Sequence, residues 1–191
     1  FMEYWALPLL FLAAYLFVHD KSSWAAIPSL LAPLVREVYI FALIGGLAAN
    51  LAARKVKEII PWAVAICAFI VLYAFHYFKV KTMTSGVSAN AGWIAGGGLG
   101  LMRDSIAFST TMIFPAKWVA IAFWAVGVIG LLFIKPLKTK IFFMIASLSL
   151  PIATLFMGVE SSYYWGVAAV PLAFVGIAPL SGKVLSSINR S

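Results

Sequence analysis

The sequence predicts an all-α fold, a polytopic bundle of about seven membrane segments with one long outer loop. Its 191 residues are 64% hydrophobic and only 10% charged, and its mean hydropathy is +1.03. Soluble domains carry about 25% charged residues. Since a bilayer offers the backbone no water to bond with, long apolar runs without alternating polarity are helices. We therefore expect a single transmembrane domain over residues 1–191, in a multi-pass integral membrane protein.

Seven apolar segments follow one another along the chain. They are 4–18, 24–35, 38–53, 59–78, 116–134, 141–158 and 163–182. The last four meet or approach the roughly 20 residues that a helix needs to cross a hydrocarbon core of about 30 Å. The second segment is short and carries Pro28 and Pro33, which predicts a kinked, tilted or partly re-entrant helix.

The polar connection over residues 79–115 is the only long one. A loop of this length without structure of its own is uncommon, so we expect a short helix around 99–111, lying in the membrane interface. The glycine run at 96–98 lacks the lysine and Ser/Thr of a phosphate-binding loop. It indicates a flexible hinge, in a loop that could close over a substrate.

Charges between the segments predict an orientation. If Glu3 begins on the non-cytoplasmic side, successive crossings place nine basic residues on the opposite side: Lys21, Arg54, Lys55, Lys57, Lys135, Lys138, Lys140, Lys183 and Arg190. Five lie on the side of Glu3, namely Arg36, Lys79, Lys81, Arg103 and Lys117. The acidic residues Asp20 and Glu58 fall on the side of the nine, and Glu3, Glu37, Asp104 and Glu160 on the other. The positive-inside rule makes the side with nine basic residues cytoplasmic. The net charge of +8 is thus an orientation signal, and we expect no nucleic-acid partner.

Arg36 and Glu37 are adjacent charges inside the apolar run LLAPLVREVYIFALIGG. A charge at bilayer depth costs roughly 2.5–3.5 kcal/mol on insertion scales, so it usually faces protein, water or a ligand. Neighbours in a helix point to different faces and cannot simply neutralise each other. We interpret the pair as a polar site at the outer face, although each charge could instead be an ordinary interfacial anchor. The same face is predicted to hold Glu3, His76, Glu160 and the 79–115 loop.

Several function classes lack support in the sequence. Cys67 is the single cysteine, so it cannot form an internal disulfide or a multi-thiolate metal site, and we expect it to pack as a small hydrophobe. There is no HExxH, Cys/His cluster or Gly-x-Ser-x-Gly motif, which leaves zinc proteases and serine hydrolases without support. His76, alone among aromatics, is more typical of a packed interfacial residue than of a catalyst. We assign no metal-ligating residues.

The order of helices and charges resembles the transmembrane core of the GT-C superfamily of polyprenyl-phosphate-dependent membrane glycosyltransferases. The first matching stretch is EYWALPLLFLAAYLFVHDKSSWAAIPSLLAPLVREVYIFALIGGLAANLAARK. The second is ESSYYWGVAAVPLAFVGIAPL, where a polar-aromatic outer turn precedes a proline-bearing apolar helix. The resemblance covers most of the chain.

This resemblance implies transfer of a sugar from a lipid-phosphate carrier on the non-cytoplasmic face, with membrane lipid and the lipid-linked sugar as partners. A divalent cation accompanying the donor is the one cofactor implied. Glu37 matches the acidic member of the charged pair and Glu3 matches the acidic helix start, so these two are the implied catalytic carboxylates. Arg36, the basic member of the pair, is an implied substrate-binding residue. Further substrate-binding candidates, by predicted side alone, are Lys79, Lys81, Arg103, His76 and Glu160.

The sequence departs from the family pattern in two places. The acidic residue of the first outer loop would precede Phe1, and the stretch YYWGVAAVP lacks the arginine found near the outer turn of many relatives. We therefore expect either the C-terminal portion of a longer enzyme or a divergent member without catalytic parts.

Two other functions stay open. One is a non-catalytic membrane subunit of a larger complex, which would have other membrane subunits as partners. The other is a lipid or small-solute transporter, although the sequence shows no inverted repeat. As location, we favour the plasma membrane of a prokaryote over an organelle membrane. No signal peptide is visible before the first apolar run.

Overall fold

A computed structural model of the chain describes residues 3–83, 96–109, 116–158, 160–167 and 170–188, without the side chains of residues 3, 160, 161 and 184–188. The α-helices are α1 (Glu3–Val18), α2 (Ser22–Val35), α3 (Ile40–Ala52), α4 (Val56–Met83), α5 (Gly98–Phe108), α6 (Lys117–Leu131), α7 (Leu137–Ala153) and α8 (Ile177–Ile188). Shorter 3-10 segments are Glu37–Tyr39, Glu160–Val167 and Val170–Gly176. No strand occurs in the described ranges, which confirms the all-α class.

The expected set of seven membrane segments is not supported. Only two described stretches have both the length and the apolar composition to cross a bilayer, Val56–Met83 with 28 residues and Ser162–Lys183 with 22. The other apolar helices have at most 17 residues. They are short because turns interrupt the apolar runs: Asp20 takes a positive φ of 56° after α1, and Arg36 takes an extended conformation after α2.

The predicted 79–115 loop is partly helical. Helix α4 continues five residues past the expected end at 78, up to Met83. Helix α5 occupies Gly98–Phe108, close to the helix expected around 99–111, and its location in a membrane interface stays a prediction. Residues 84–95 and 110–115 lie outside the description.

Helices α1, α2 and α3 run in alternating directions between two ends of the bundle, and α7 runs in the direction of α2. At one end, which we call the arginine end because it contains Arg36, the start of α1, the end of α2, the start of α3 and the end of α7 pack together. Its buried side chains include Ala6, Leu10, Ala32, Tyr39, Ala42, Leu150 and Trp165. At the other, which we call the lysine end, Phe17 of α1 stacks on Phe142 of α7 with ring centroids 4.3 Å apart.

A buried lysine holds the lysine end together. Lys138 has a side chain only 6% exposed, and its Nζ lies 3.2 Å from Asp20 Oδ1 and 3.2 Å from Glu58 Oε2. The ammonium also lies 5.3 Å from the Phe17 ring centroid. A charge at such a depth requires partners. Three charges that the sequence analysis assigned to one side thus lie in contact, and they join the α1–α2 turn to the starts of α4 and α7.

Buried polar side chains join α2, α3 and α4. Asn50 donates from Nδ2 to Ser22 Oγ at 2.9 Å and to the Gly46 carbonyl at 2.8 Å. Trp62 donates from Nε1 to the same Ser22 oxygen at 3.2 Å. These side chains are almost fully buried, so their polar atoms satisfy one another away from solvent.

The outer surface of the bundle is strongly apolar. Trp5, Trp118 and Phe75 expose 72–76% of their area, and along α4 from 70 to 83 nearly every side chain is exposed. Soluble monomers rarely expose contiguous apolar patches larger than a few hundred Å², so this surface suits lipid or another protein. Cys67 lies on the same helix and is exposed. It was expected to pack as a small hydrophobe, and within the described bundle it does not, because α4 buries only the face carrying Trp62, Ala65 and Phe69.

Candidate functional site at the arginine end

Arg36 lies at a break in the backbone between two helices. Its φ of −154° and ψ of 111° end α2, and its N–H donates to the Ala32 carbonyl at 3.0 Å. The side chain is half-buried. Its Nη2 donates to Tyr164 Oη at 3.1 Å, and the guanidinium carbon lies 5.7 Å from the centroid of that ring, within cation–π range. A cation is therefore fixed where the chain changes direction.

Tyr39 provides a second link to the same segment. Its ring is 1% exposed, and its hydroxyl donates to the Trp165 carbonyl at 3.2 Å. A hydrogen bond of this kind contributes a net stabilisation of about 0.5–1.5 kcal/mol. Because Tyr164 and Trp165 are neighbours, the two bonds together hold the Glu160–Val167 segment against the α2–α3 break. Arg36 is thus oriented by residues distant in sequence.

Glu37 is the first residue of the short 3-10 segment that follows Arg36. It is half-buried. Within the described residues its carboxylate has no hydrogen bond or ion pair, with Arg36 or with any other group. The two adjacent charges therefore do not neutralise each other. A carboxylate in this state can accept a proton or a hydroxyl hydrogen bond.

The other candidates at this end are only partly described. Glu3 is the first residue of α1 and Glu160 is the first residue of the Glu160–Val167 segment, so both backbone positions belong to the arginine end. Their side chains lie outside the description. Whether these two carboxylates face Arg36 stays a prediction.

His76, Lys79 and Lys81 lie on the exposed far part of α4. No described contact joins these three side chains to Arg36. The buried residues of α4 are Trp62, Ala65 and Phe69 in its first half, and the second half runs past the packed bundle. The structure thus separates these three candidates from the charged pair.

Arg103 lies on the exposed face of α5 and belongs to a charge cluster of its own. Its Nε donates to Asp104 Oδ1 at 2.9 Å, and Lys117 Nζ donates to the same oxygen at 3.2 Å. The Arg103 hydrogen bond, helped by Lys117, holds the pKa of Asp104 below its usual value, although burial of the carboxyl acts in the opposite direction. Asp104 is therefore ionised at neutral pH, with two cations beside it.

A cavity of about 270 Å³ opens next to this cluster, lined by Asp104, Ala107, Phe108, Lys117 and Tyr163. The rings of Phe108 and Tyr163 meet edge to face, with centroids 4.8 Å apart. The ring of Tyr163 lies 5.9 Å from that of Tyr164. Two neighbouring tyrosines therefore connect the cavity to Arg36.

Several residues around this site were not predicted from the sequence. These are Tyr39, Asp104, Tyr163, Tyr164 and Trp165. The aromatic run YYW at 163–165 was the available signal, since aromatic rings with a polar atom commonly line binding sites. Asp104 is the sequence neighbour of Arg103, but nothing in the sequence indicated that its carboxylate would belong to the same site.

The implied divalent cation finds no clustered ligand set in the described part of the chain. No group of three or more His, Cys, Asp or Glu side chains lies together there. Glu37 is the single described carboxylate beside Arg36. The cation stays a prediction, and the chemistry proposed below uses the side chains of this chain alone.

Comparisons with known proteins give no relative. No family model, no curated protein and no solved structure matches the chain. The resemblance to GT-C glycosyltransferases therefore stays a prediction.

Proposed function

We propose that this chain is the membrane-embedded core of a GT-C-like glycosyltransferase, which transfers a sugar from a lipid-phosphate carrier at the non-cytoplasmic face. The exposed apolar surface supports a membrane location. Helices too short to span alone can still sit in a bilayer that thins locally, or with flanking side chains that reach the interface. The small buried residues Ala6, Ala13, Ala25, Ala42 and Ala49 are typical of closely packed membrane helices.

A labelling experiment tests the membrane placement. Residues 57 and 81 are exposed positions near opposite ends of α4, about 36 Å apart at 1.5 Å per residue, which exceeds a hydrocarbon core of about 30 Å. In a Cys67→Ser background, we expect an impermeant maleimide to label Lys81→Cys from outside intact cells. Lys57→Cys should be labelled only in inverted vesicles. Lys138 is unsuitable for labelling because its side chain is buried.

Lys21→Cys serves as the control, since it is exposed and belongs to the lysine end. It should behave like Lys57→Cys. If Lys57→Cys and Lys81→Cys both react from one side, α4 does not cross the membrane and the proposed location is wrong.

The single observation that carries the proposal is the charged pair at the α2–α3 break, with Arg36 fixed on Tyr164 and Glu37 without a partner among the described residues. A guanidinium presents several N–H donors that fit phosphate oxygens. A carboxylate beside it can take the proton of an incoming hydroxyl. The pair therefore offers both groups that glycosyl transfer from a lipid phosphate needs.

In the proposed reaction, Glu37 accepts the proton of the acceptor hydroxyl while that oxygen bonds to the anomeric carbon of the donor sugar. The bond from the anomeric carbon to the phosphate oxygen breaks, and its electron pair leaves with the lipid phosphate. Arg36 stabilises the charge on that phosphate. Glu37 later releases its proton to solvent, which restores the starting state.

Substitution of the pair tests this function. With polyprenyl-phosphate hexoses as donors, we expect Arg36→Ala and Glu37→Gln each to lower kcat/KM for sugar transfer by roughly 10²–10³-fold, in the usual range for removing a charge-stabilising group or a general base. Tyr164→Phe removes one hydrogen bond to Arg36 and should lower it by about tenfold. The measurement is radiolabelled transfer by the full chain in nanodiscs, with thermal unfolding recorded for each variant.

Lys55→Ala is the matched control, because Lys55 is an exposed cation at the lysine end, and it should transfer at the normal rate. Unchanged transfer by a folded Arg36→Ala protein contradicts the assignment.

One observation favours a second candidate function, a non-catalytic membrane subunit. The exposed part of α4, residues 70–83, packs against no other described helix, which is the surface expected of a subunit that contacts another membrane chain. The transfer assay separates the candidates. An enzyme transfers sugar as the isolated chain, whereas a subunit shows transfer only in a complex purified from native membranes.

A further inference from the structure

The cavity beside α5 carries groups that the proposed reaction does not use. Its walls combine the rings of Phe108 and Tyr163 with the charges of Asp104 and Lys117. Ligand pockets are usually apolar, with a few polar groups that fix the orientation of the ligand. At about 270 Å³, this cavity is close to the lower end of the range for small-molecule sites. It suits a ligand of one ring.

The charges of the cavity favour a neutral polyhydroxyl ligand over a phosphate. Asp104 is ionised, since its pKa lies below the usual value, so its carboxylate only accepts hydrogen bonds, and a fully ionised phosphate has no hydrogen to donate to it. A hydroxyl group can instead donate to this carboxylate and accept from the Lys117 ammonium at the same time. The two groups already lie 3.2 Å apart, so adjacent hydroxyls of one ring could meet both.

The aromatic rings suit the other half of such a ligand. A pyranose has an apolar face of C–H groups, which packs on an aromatic ring, while its edge carries the hydroxyls. The side chain of Tyr163 is 38% exposed, so part of its surface is open to a ligand. The edge-to-face contact with Phe108 holds the ring in place, which reduces the conformational entropy lost on binding.

We propose that this cavity binds a sugar ring of the acceptor, at a position next to the reacting one. The ring centroid of Tyr164 lies 5.9 Å from that of Tyr163 and 5.7 Å from the Arg36 guanidinium carbon. Arg36 is not among the described residues that line the cavity, so we place the ring bound there beside the phosphate held by Arg36 and not on it. The bound ring positions an acceptor of two or more sugars. Only the assignment of that ring to the acceptor rests on the proposed function; sugar binding in the cavity does not.

Direct binding tests the proposal without any transfer assay. The purified full chain in detergent micelles is titrated with methyl glycosides of glucose, mannose and N-acetylglucosamine, with saturation-transfer NMR as the readout. We expect at least one glycoside to bind, and Asp104→Asn and Tyr163→Ala each to weaken it by about tenfold or more, since a hydrogen bond to a charged group or a stacked ring is lost. Inorganic phosphate at equal concentration should not compete.

Two matched controls accompany these variants. Asp20→Asn changes a carboxylate that also accepts from a lysine at 3.2 Å, but at the lysine end. Tyr77→Ala removes an exposed tyrosine of α4. Both should bind the glycoside normally. The proposal is overturned if no glycoside binds, if Asp104→Asn and Tyr163→Ala bind as tightly as the unmodified chain, or if phosphate displaces the sugar.

The outcomes separate this proposal from the proposed function. Arg36→Ala should retain glycoside binding although it loses transfer. Glycoside binding by a chain that transfers no sugar would leave the cavity assignment standing and contradict the enzyme. Conversely, if transfer occurs and Asp104→Asn leaves KM for a disaccharide acceptor unchanged, the assignment of the cavity to the acceptor fails and the enzyme stands. A positioning role predicts a higher KM with kcat nearly unchanged.

Discussion

Gly130→Leu is expected to prevent the chain from accumulating as a folded protein. A Cβ atom at Gly130 in α6 would overlap the backbone carbonyl of Gly176. The obstacle is backbone, which cannot rotate away as the end of a side chain can. Overpacking in a core usually costs about 1–3 kcal/mol and occasionally more, and here a whole leucine would have to fit between two backbones.

The contact is reciprocal, which makes relief by a local shift difficult. A Cβ at Gly176 would overlap the Gly127 carbonyl, and a Cβ at Gly127 would lie 2.7 Å from the Ala173 carbonyl oxygen. Three glycines therefore allow α6 to approach the Val170–Gly176 segment, as small residues allow close packing of membrane helices. Separating these elements would also disturb the buried neighbours Trp124, Val170 and Ala173.

Fluorescence-detected size exclusion of a C-terminal fusion in dodecyl maltoside measures this effect. The Gly130→Leu protein should elute in the void volume or not accumulate at all. Gly182→Leu is the matched control, since Gly182 also lies in a helix and an added Cβ there meets nothing within 4 Å, and its profile should equal that of the unmodified chain. A single sharp peak with an unchanged thermal midpoint for Gly130→Leu would show that the close approach is not needed.

Element bounds and the grouping of charges were largely predictable from the sequence. The second apolar segment was expected over 24–35 and forms α2 over Ser22–Val35. Asp20, Glu58 and Lys138 were assigned to one side, and the structure joins them. Both features are local, because a helix ends where polar residues interrupt an apolar run, and consecutive antiparallel helices return alternate turns to the same end.

Contacts between distant segments could not be predicted in this way. The hydrogen bond from Arg36 to Tyr164 joins residues 128 positions apart, and no periodicity encodes such a pairing. The number of full-length spans was also beyond reach, because hydropathy counts apolar residues and does not register that α6 ends at Leu131 and α7 at Ala153, short of the expected ends at 134 and 158. In α4, the sequence FHYFK gave no sign that the helix would extend past the packed bundle.

Trp62→Ala is the second substitution with a large expected effect on stability. The indole is fully buried and meets the rings of Phe17 and Phe142 edge to face, at 5.8 and 6.2 Å between centroids. Its Nε1 donates to Ser22 Oγ at 3.2 Å. Truncation of a buried tryptophan typically lowers the free energy of unfolding by about 3–5 kcal/mol, so we expect a loss in that range. Trp118→Ala, which changes an indole 74% exposed, should alter it by no more than about 0.5 kcal/mol.

Gly46→Leu alone should also be strongly destabilising, because the added side chain would meet the Trp62 ring. Its effect should therefore depend on whether Trp62 is present. The three atoms nearest to an added Cβ at Gly46 all belong to the Trp62 ring, and it would overlap them. That ring cannot retreat, because Phe17 and Phe142 pack against it. When Trp62 is truncated, the obstacle disappears and a cavity appears at the same place. The leucine should then occupy part of the space that the indole left.

The double variant Gly46→Leu/Trp62→Ala should therefore be more stable than the sum of the two single changes predicts. Contacting residues show interaction free energies of about 0.5–3 kcal/mol in double-mutant cycles. Because the leucine at position 46 would overlap the Trp62 ring directly, we expect the interaction free energy of this pair to lie near the upper end of that range. Reversible unfolding in mixed dodecyl maltoside and SDS micelles measures the cycle, with Gly46→Leu/Trp118→Ala as the control pair, which should be additive. Strict additivity of Gly46→Leu with Trp62→Ala would mean that the ring does not lie over Gly46, and the packing of α3 on α4 described above would be incorrect.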